Sequence, residues 1–108
     1  MVKLSVLYPN SPGARFDDHY YLTTHMALVQ KLLGPALKAA GVDKGIDTPE
    51  GPAPYVFMAH LCFESPEALD AAMAAHRDAL LADIPNYTDI RPVMQVSRVM
   101  IAQQAAAA

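Results

Sequence analysis

The pattern of apolar and polar positions predicts four strands. VKLSVLYP, residues 2–9, alternates as a strand does, because successive side chains of a strand point to opposite faces. YVFMAHLCF, residues 55–63, is apolar at nearly every position, which is typical of a strand buried on both faces. VMQVSRVMIA, residues 93–102, is rich in β-branched residues and predicts the last strand. A shorter strand is predicted near residues 44–48, beside a loop rich in proline and glycine.

Helical spacing predicts a first helix after the first strand. Asp17 is the expected N-cap, because its carboxylate can accept hydrogen bonds from the free amides of the first turn. Apolar residues then recur every three or four positions, at Leu22, Met26, Val29 and Leu33. Glycine and proline at positions 34 and 35 interrupt the helix, and ALKAAGV, residues 36–42, is expected to add one more turn.

A second helix is predicted after the long central strand. Ser65 is its expected N-cap and Pro66 its first residue, a position at which the missing amide proton of proline costs nothing. The inner stripe of this helix is formed by Leu69, Met73, His76 and Leu80. The DIPNYTDIRP stretch that follows is typical of a turn-rich connector.

This order of elements predicts an α+β fold of the ferredoxin-like βαββαβ type, with one antiparallel sheet and both helices on one face. Residues 1–102 form a single domain in this prediction, and residues 103–108 a loose tail. The other sheet face would carry Val56, Met58 and Cys62, and an apolar face needs to be covered. A homodimer that stacks two copies through this open sheet face, giving a dimeric α+β barrel, would cover it.

Composition supports a self-association surface and argues against nucleic acid. The chain has 108 residues, of which 53% are hydrophobic and 18% charged, with a formal net charge of −3. This is more apolar than an ordinary small domain, and no basic run is present to bind phosphates. The start has no signal-peptide pattern, and no apolar run reaches membrane-spanning length. We therefore expect a cytoplasmic protein that binds neither nucleic acid nor membrane.

The stretch FDDHYYLTTHM, residues 16–26, concentrates groups that can transfer protons. On a helical wheel Tyr21 and His25 lie one turn apart on the flank of the apolar arc, so both are predicted to point inward. Tyr20 and Asp17 are predicted to point outward. An imidazole titrates near neutral pH, and a tyrosine hydroxyl can orient a carbonyl or phenol. His25 is thus the candidate catalytic proton carrier, with Tyr21 as its catalytic partner.

Other residues are predicted to line a ligand pocket between the helices and the sheet. His76 lies in the inner stripe of the second helix, so it would face the same layer as His25. Met26 and Met73 would supply apolar walls, which suits a small organic ligand. Asn86 and Tyr87 are assigned either to the pocket mouth or to an ordinary turn. The competing interpretation of both histidines is that they are core residues with satisfied hydrogen bonds.

No metal site and no cofactor are predicted. The sequence has no HExxH motif, no glycine-rich phosphate loop and only one cysteine, so neither an internal disulfide nor a cysteine zinc cage can form. Haem stays open as an alternative, because a single histidine ligand needs no motif. His60 falls in strand phase with the predicted dimer face, where a structural role is favoured. Cys62 is interpreted as an inert buried thiol.

Three stretches of this sequence resemble the EthD family, named for degradation of ethyl tert-butyl ether. They are FDDHYYLTTHMALV, FESPEAL and ADIPNYTDIRPVMQVSRV, and the resemblance extends from Lys3 to about Val99. It implies a dimeric α+β barrel, with the family's histidine at His25 and its tyrosine pair at Tyr20 and Tyr21. The family often has proline two residues after that histidine, where this chain has alanine. Family members are linked to ether degradation beside an oxidising system, and some fungal relatives to polyketide pigments.

Three functions follow from these expectations. The first is a small-molecule-binding protein in the degradation of ethers, aromatic or related compounds, acting through cofactor-independent proton transfer or oxygenase-type chemistry. The second is a non-catalytic accessory protein that binds a compound for an oxidising system. The third is a structural dimer with no pocket. All three stay open because fold does not determine activity.

Overall fold

A computed structural model describes residues 1–102 of the chain. Three strands have the bounds Val2–Pro9 (β1), Tyr55–Phe63 (β3) and Val93–Arg98 (β4), and a short strand β2 spans Ala39–Lys44. The first helical region comprises α1 (Asp18–Tyr20), a π-helical turn (Tyr21–His25), α2 (Met26–Leu33) and a 3-10 turn (Gly34–Ala36). The second comprises α3 (Pro66–Asp83) and a 3-10 turn (Ile84–Asn86). The loose tail predicted for residues 103–108 lies outside the described residues.

The four strands form one antiparallel sheet in the order β2-β3-β1-β4. With a helix after β1 and another after β3, this is the α+β ferredoxin-like arrangement that the order of elements predicts. The two longest strands, β1 and β3, are central, which agrees with their apolar sequences. Strands β1 and β3 were predicted with the observed bounds, whereas β4 ends at Arg98, before the predicted residue 102.

The second strand was predicted wrongly, near residues 44–48. It instead occupies part of the stretch that was assigned to a further helical turn. Gly34 has φ 52°, a conformation that glycine adopts without strain, and it ends α2 before Pro35. The chain then pairs with β3 from Ala39 onward, with Val42 beside Ala59. Strand β2 is an edge strand with mostly exposed residues, so its sequence lacks the apolar pattern of a buried strand.

One face of the sheet packs against the helices and forms the core. In β3 the alternate residues Phe57, Ala59, Leu61 and Phe63 are buried, while their neighbours on the other face are half-buried. Both helix starts are capped as predicted: the Asp17 carboxylate accepts from the amide of Tyr20, and the Ser65 hydroxyl accepts from the amide of Ala68. No helix within residues 1–102 combines the length and apolar character needed to cross a membrane.

The π-helical turn changes which side chains of the first helix reach the core. The amide of Met26 donates to the carbonyl of Tyr21, five residues earlier, instead of four. Leu22 was predicted in the inner stripe but is 50% exposed, whereas Tyr21 and His25 are 1% and 6% exposed. Along this segment Tyr21 and His25 lie on the inner face, while Leu22 faces outward. Such turns occur often at functional sites.

Candidate functional site

A cavity of about 330 Å³ lies between the helices and the sheet. Its volume is at the lower end of the range for small-molecule sites, which is about 300–1,000 Å³. Most of its wall is apolar, and the contributing side chains come from β1, β3, β4, α2 and α3, including Leu4, Val6, Leu61, Val29, Met73 and Leu80. A filled helix–sheet layer would have supported a structural dimer without a pocket, so the cavity argues against that third function.

The cavity is accessible along the edge strand β4. Met94 and Val96 lie on the helix-facing side of β4 and line the cavity, yet they are 43% and 58% exposed. Two exposed charged side chains of α3, Asp70 and Arg77, are also part of the lining. The deep end is formed by the buried side chains of Tyr8, Tyr21 and His25. The cavity thus has an apolar body, a charged rim and a deep end formed by two tyrosines and a histidine.

A carboxylate holds the imidazole of His25 at this deep end. Nδ1 of His25 lies 2.8 Å from Oδ2 of Asp83, the last residue of α3. The two side chains are 8% and 12% exposed, so water screens the pair only weakly. His25 lines the cavity, and its Nε2 has no hydrogen-bond partner within residues 1–102. This leaves one nitrogen of the ring paired with an acid and the other available.

Asp83 is itself held by two further donors. The hydroxyl of Tyr20 donates to Oδ1 of Asp83 at 2.7 Å, and the side-chain amide of Asn86 donates to the same oxygen at 2.9 Å. Burial by itself raises the pKa of Asp83, but the hydrogen bonds from Tyr20, Asn86 and His25 outweigh it and hold the pKa below its ordinary value. Asp83 is therefore ionised at neutral pH. The hydrogen bond from the Tyr20 hydroxyl to Asp83 raises the pKa of Tyr20, because it stabilises the neutral phenol.

Aromatic rings surround the imidazole. The ring of Tyr21 stacks on His25 with centroids 5.7 Å apart, and the ring of Tyr87 lies 4.6 Å away at a tilt. The hydroxyl of Tyr87 is hydrogen-bonded to the hydroxyl of Tyr8, at a distance of 2.7 Å. Burial raises the pKa of Tyr8, Tyr21 and Tyr87, so all three phenols stay protonated near neutral pH.

The hydroxyl of Tyr21 is buried without a hydrogen-bond partner among residues 1–102. Tyr21 is 1% exposed and lines the cavity. An unsatisfied buried donor costs about 1–3 kcal/mol, so such groups are uncommon in packed protein interiors. Tyr21 thus brings a buried hydroxyl that is unpaired among the described residues into the cluster around His25.

Some of the predicted site residues line the cavity and others do not. Tyr21, His25, Met26 and Met73 line the cavity. His76 does not: it is half-buried on α3, and its neighbour Arg77 takes the lining position instead. The expectation that two histidines share one cavity is therefore replaced by one histidine paired with Asp83. Helical spacing placed His76 close to the middle of the inner stripe, but in the structure it is only half-buried and outside the cavity lining.

Asn86 and Tyr87 lie at a turn, which is one of their two predicted positions, whereas Tyr20 differs from its prediction. Asn86 and Tyr87 do not line the cavity. Asn86 donates a hydrogen bond to Asp83, and the ring of Tyr87 packs against the ring of His25. Tyr20 was predicted to point outward together with Asp17. It is instead half-buried and hydrogen-bonded to Asp83, because α3 ends against the start of the first helix.

Asp83 and Tyr8 were not among the residues predicted from the sequence. A signal for Asp83 existed, since a carboxylate in the last turn of a helix opposes the negative end of the helix dipole. An acidic residue at that position needs compensating donors, which points to a specific role. Tyr8 gave no comparable signal, because an aromatic residue near the end of a strand is ordinary core material.

The residues of this site do not form a metal-binding group. Within residues 1–102, no three histidine, cysteine, aspartate or glutamate side chains are close enough together to hold an ion. His60, on the opposite face of the sheet, accepts or donates a hydrogen bond at 2.9 Å with the Ser5 hydroxyl. Its position on that face agrees with its strand phase.

An antiparallel α+β sheet with an acid–histidine pair at a helix–sheet cavity defines a ferredoxin-like domain with a candidate small-molecule site. The family model described as the EthD domain matches residues 14–91, which is more than half of the chain. The chain therefore belongs to the EthD family. The matched segment contains Tyr20, Tyr21, His25, Asp83 and Asn86, so it covers the cluster around the imidazole.

Solved structures agree with this assignment. An EthD-like protein from Ralstonia eutropha JMP134 is 40% identical, with 94% of each chain covered and a TM-score of 0.89. An ethyl tert-butyl ether degradation (EthD) family protein from Bacillus halodurans C-125 is 24% identical, covering 93% of this chain and 99% of its own, with a TM-score of 0.67. A likeness at that identity shows the fold. A search of curated proteins finds no match.

Proposed function

We propose that this protein binds a mainly apolar organic compound bearing a carbonyl or phenolic oxygen, and that His25 moves a proton on that compound. One observation carries the proposal: His25 is held by a buried carboxylate at the wall of an apolar cavity, with Nε2 unpaired among the described residues. A general base must reach its proton through such a free nitrogen. The apolar wall supplies binding, since burial contributes roughly 25 cal/mol per Å².

The proton transfer uses groups that are already in place. Nε2 of His25 accepts a proton from an acidic C–H or O–H of the ligand, and the electron pair of that bond stays on the ligand as an enolate or phenolate. The hydroxyl of Tyr21 donates a hydrogen bond to the oxygen that gains the negative charge. The imidazolium is stabilised by Asp83 and then returns its proton to another atom of the ligand. Side chains of this chain are sufficient for each of these steps.

The accessory function is the second candidate, and the resemblance to the EthD family favours it. A protein supporting an oxidising degradation system would need the cavity but no turnover. Oxygenase-type chemistry on an ether or aromatic compound is the corresponding catalytic version. The pairing of His25 with Asp83 favours proton transfer over passive binding, because it holds the imidazole in one orientation at the cavity wall.

A compound panel with two readouts tests this proposal. Quinones, phenols, enolisable ketones, short ethers and alcohols are screened by thermal shift and by product analysis. A ligand present at 100 times its Kd stabilises the folded state by about 2.7 kcal/mol, which is an easily measured rise in Tm. We expect oxygen-bearing aromatic or carbonyl compounds to raise Tm and at least one to be converted. Binding without conversion throughout supports the accessory function, and no binding at all contradicts both.

We further propose that the open face of the sheet forms a homodimer. Register places Leu7, Met58 and Val93 side by side on this face, and Cys62 shares it. Val93 is 50% exposed, and the other three are only half-buried. A second copy stacked on this face would remove these apolar groups from water. Both candidate functions are compatible with such a dimer, since the cavity lies on the opposite side of the sheet.

Substitution of Met58 by arginine is expected to convert the dimer to a monomer. In the separated chain the introduced guanidinium would have Asp43 opposite it on the neighbouring strand, so the variant should fold. In the dimer the same guanidinium would lose water without a partner, which is costly. Sedimentation at micromolar concentration measures the change, as a halved mass.

The matched control is Gln30→Arg, which adds the same charge at an exposed position of α2 and should leave the mass unchanged. A wild-type chain that sediments as a monomer, or a Met58→Arg variant that keeps the wild-type mass, would show that the open face is not the interface.

A further inference from the structure

The hydrogen bonds around Asp83 are distributed unequally between its two oxygens. Oδ1 accepts two of them, from the hydroxyl of Tyr20 at 2.7 Å and from the amide of Asn86 at 2.9 Å. Among the described residues, Oδ2 accepts only from Nδ1 of His25, at 2.8 Å. The amide of Asn86 also lies 3.4 Å from the Tyr20 hydroxyl, so the two donors form one group on one side of the carboxylate. The other side is left to the imidazole.

We propose that Asp83 is a positioning residue that fixes His25 in the tautomer with the proton on Nδ1, and that Tyr20 and Asn86 determine which carboxylate oxygen does so. This tautomer leaves the lone pair of Nε2 free at the cavity. The inference deepens the proposed function, on which its catalytic meaning rests. The tautomer itself is a property of the protein that can be measured without any ligand.

The charge state of Asp83 determines the direction of the hydrogen bond. An ionised carboxylate has no proton to donate, so the nitrogen facing it must be the donor. Asp83 is ionised at neutral pH because three donors converge on it. With Nδ1 protonated in a neutral ring, Nε2 must be the unprotonated nitrogen. The tautomer therefore follows from the environment of the acid.

Tertiary contacts hold this arrangement together. Asp83 ends α3, Asn86 lies in the 3-10 turn that follows, and Tyr20 comes from the first helix. Carboxylates are disfavoured at a helix C-terminus, where the free carbonyl groups are partly negative. The donors from Tyr20, Asn86 and His25 offset that cost. One carboxylate therefore joins the two helical regions beside the cavity and sets the orientation of the imidazole.

Replacement of Asp83 by asparagine reverses the tautomer in this geometry. Tyr20 and Asn86 both donate, so the amide oxygen of the new side chain takes the Oδ1 position. Its NH₂ group then faces Nδ1 of His25, which must become an acceptor. The proton moves to Nε2, and the ring loses its free lone pair at the cavity. A similar amide-for-acid exchange in serine proteases also leaves the histidine in the wrong tautomer.

Nitrogen-15 NMR of the ring nitrogens measures the tautomer directly, because protonated and unprotonated nitrogens resonate far apart. Spectra are recorded in the alkaline range, where an ordinary imidazole is neutral. The wild type is expected to show a protonated Nδ1 for His25, and Asp83→Asn a protonated Nε2. Asp78→Asn is the matched control, because Asp78 is exposed on the same helix and outside the cavity lining. It should give the wild-type spectrum.

A second variant separates positioning from a general disturbance. With Tyr20→Phe and Asn86→Ala added to Asp83→Asn, nothing fixes the amide, so its oxygen can face His25 again. We expect a protonated Nδ1 to reappear in a substantial fraction of molecules. The two added substitutions on their own, with Asp83 retained, should leave the wild-type tautomer unchanged, since a carboxylate accepts through either oxygen.

Each outcome decides the inference. A protonated Nε2 in the wild type would overturn it, even if Asp83→Asn does not fold. An unchanged tautomer in a folded Asp83→Asn variant would overturn it as well. If the compound panel finds no ligand while the tautomers behave as expected, the proposed function fails and the positioning role of Asp83 stands. If a ligand is converted while Nε2 is protonated, the positioning role of Asp83 fails and Nε2 is not the base, whereas the ligand-binding part of the proposed function stands.

Discussion

Replacement of His25 by alanine is expected to lower the rate of proton transfer by about 10²–10⁴-fold, the usual contribution of a general acid or base. The methyl side chain has no nitrogen to take the proton, while the apolar walls that bind the ligand are retained. Ligand affinity should therefore fall much less than the rate. The measurement is kcat and KM for whichever compound of the panel is converted, together with the Kd of the same compound.

The fold should survive this substitution. Asp83 keeps two donors, Tyr20 and Asn86, so the buried carboxylate is not left without partners. The control is His19→Ala, which removes an exposed imidazole from the same helical region and should leave the rate unchanged. If the activity of His25→Ala follows only its folded fraction, His25 is a structural residue and the proton-transfer function is wrong.

Two hydroxyl deletions in one aromatic cluster should change stability in opposite directions. Tyr21→Phe removes a buried donor that has no partner among the described residues, so we expect the unliganded protein to gain about 1–3 kcal/mol of stability. Tyr87→Phe removes one partner of the 2.7 Å hydrogen bond with Tyr8, which leaves that hydroxyl unsatisfied and costs about 1–3 kcal/mol. Denaturant unfolding of both variants measures the difference.

The stabilised variant should be the weaker binder. If the Tyr21 hydroxyl donates to the oxygen of the ligand, Tyr21→Phe loses about tenfold in affinity, equivalent to about 1.4 kcal/mol. The matching ligand for control is an analogue without the oxygen, whose affinity should not change. A destabilised Tyr21→Phe protein, or one with full affinity for the oxygen-bearing ligand, would show that the hydroxyl is satisfied within the fold and does not contact the ligand.

The inward direction of Tyr21 and His25 followed from helical geometry, and the cavity lining agrees with it. Local spacing was sufficient here because both residues lie on one helical segment. The same geometry failed for Leu22, because the wheel assumes about 100° per residue and the π-helical turn departs from it. No residue in YLTTH indicates such a turn, so its presence depends on packing of the helix against the sheet.

The partner of His25 could not be identified from spacing. Asp83 is 58 residues away along the chain, and a hydrogen bond of that range depends on where α3 ends relative to the first helix. His76, which was predicted to share a pocket with His25, lies seven residues before Asp83, about two helical turns away. Periodicity gives the face of a helix but not which turn of that face reaches a given side chain.

The sequence carried the elements and their order, because period and capping act within a few residues. It thereby predicted the ferredoxin-like sheet, the caps at Asp17 and Ser65, and an inward histidine. Only the tertiary structure decided the cavity, the pairing of His25 with Asp83, and the hydroxyl of Tyr21 that is unpaired among the described residues. Those features arise from contacts between distant segments, whose geometry is set by packing of the whole layer. For that reason the candidate site is an arrangement that no single stretch of the sequence encodes.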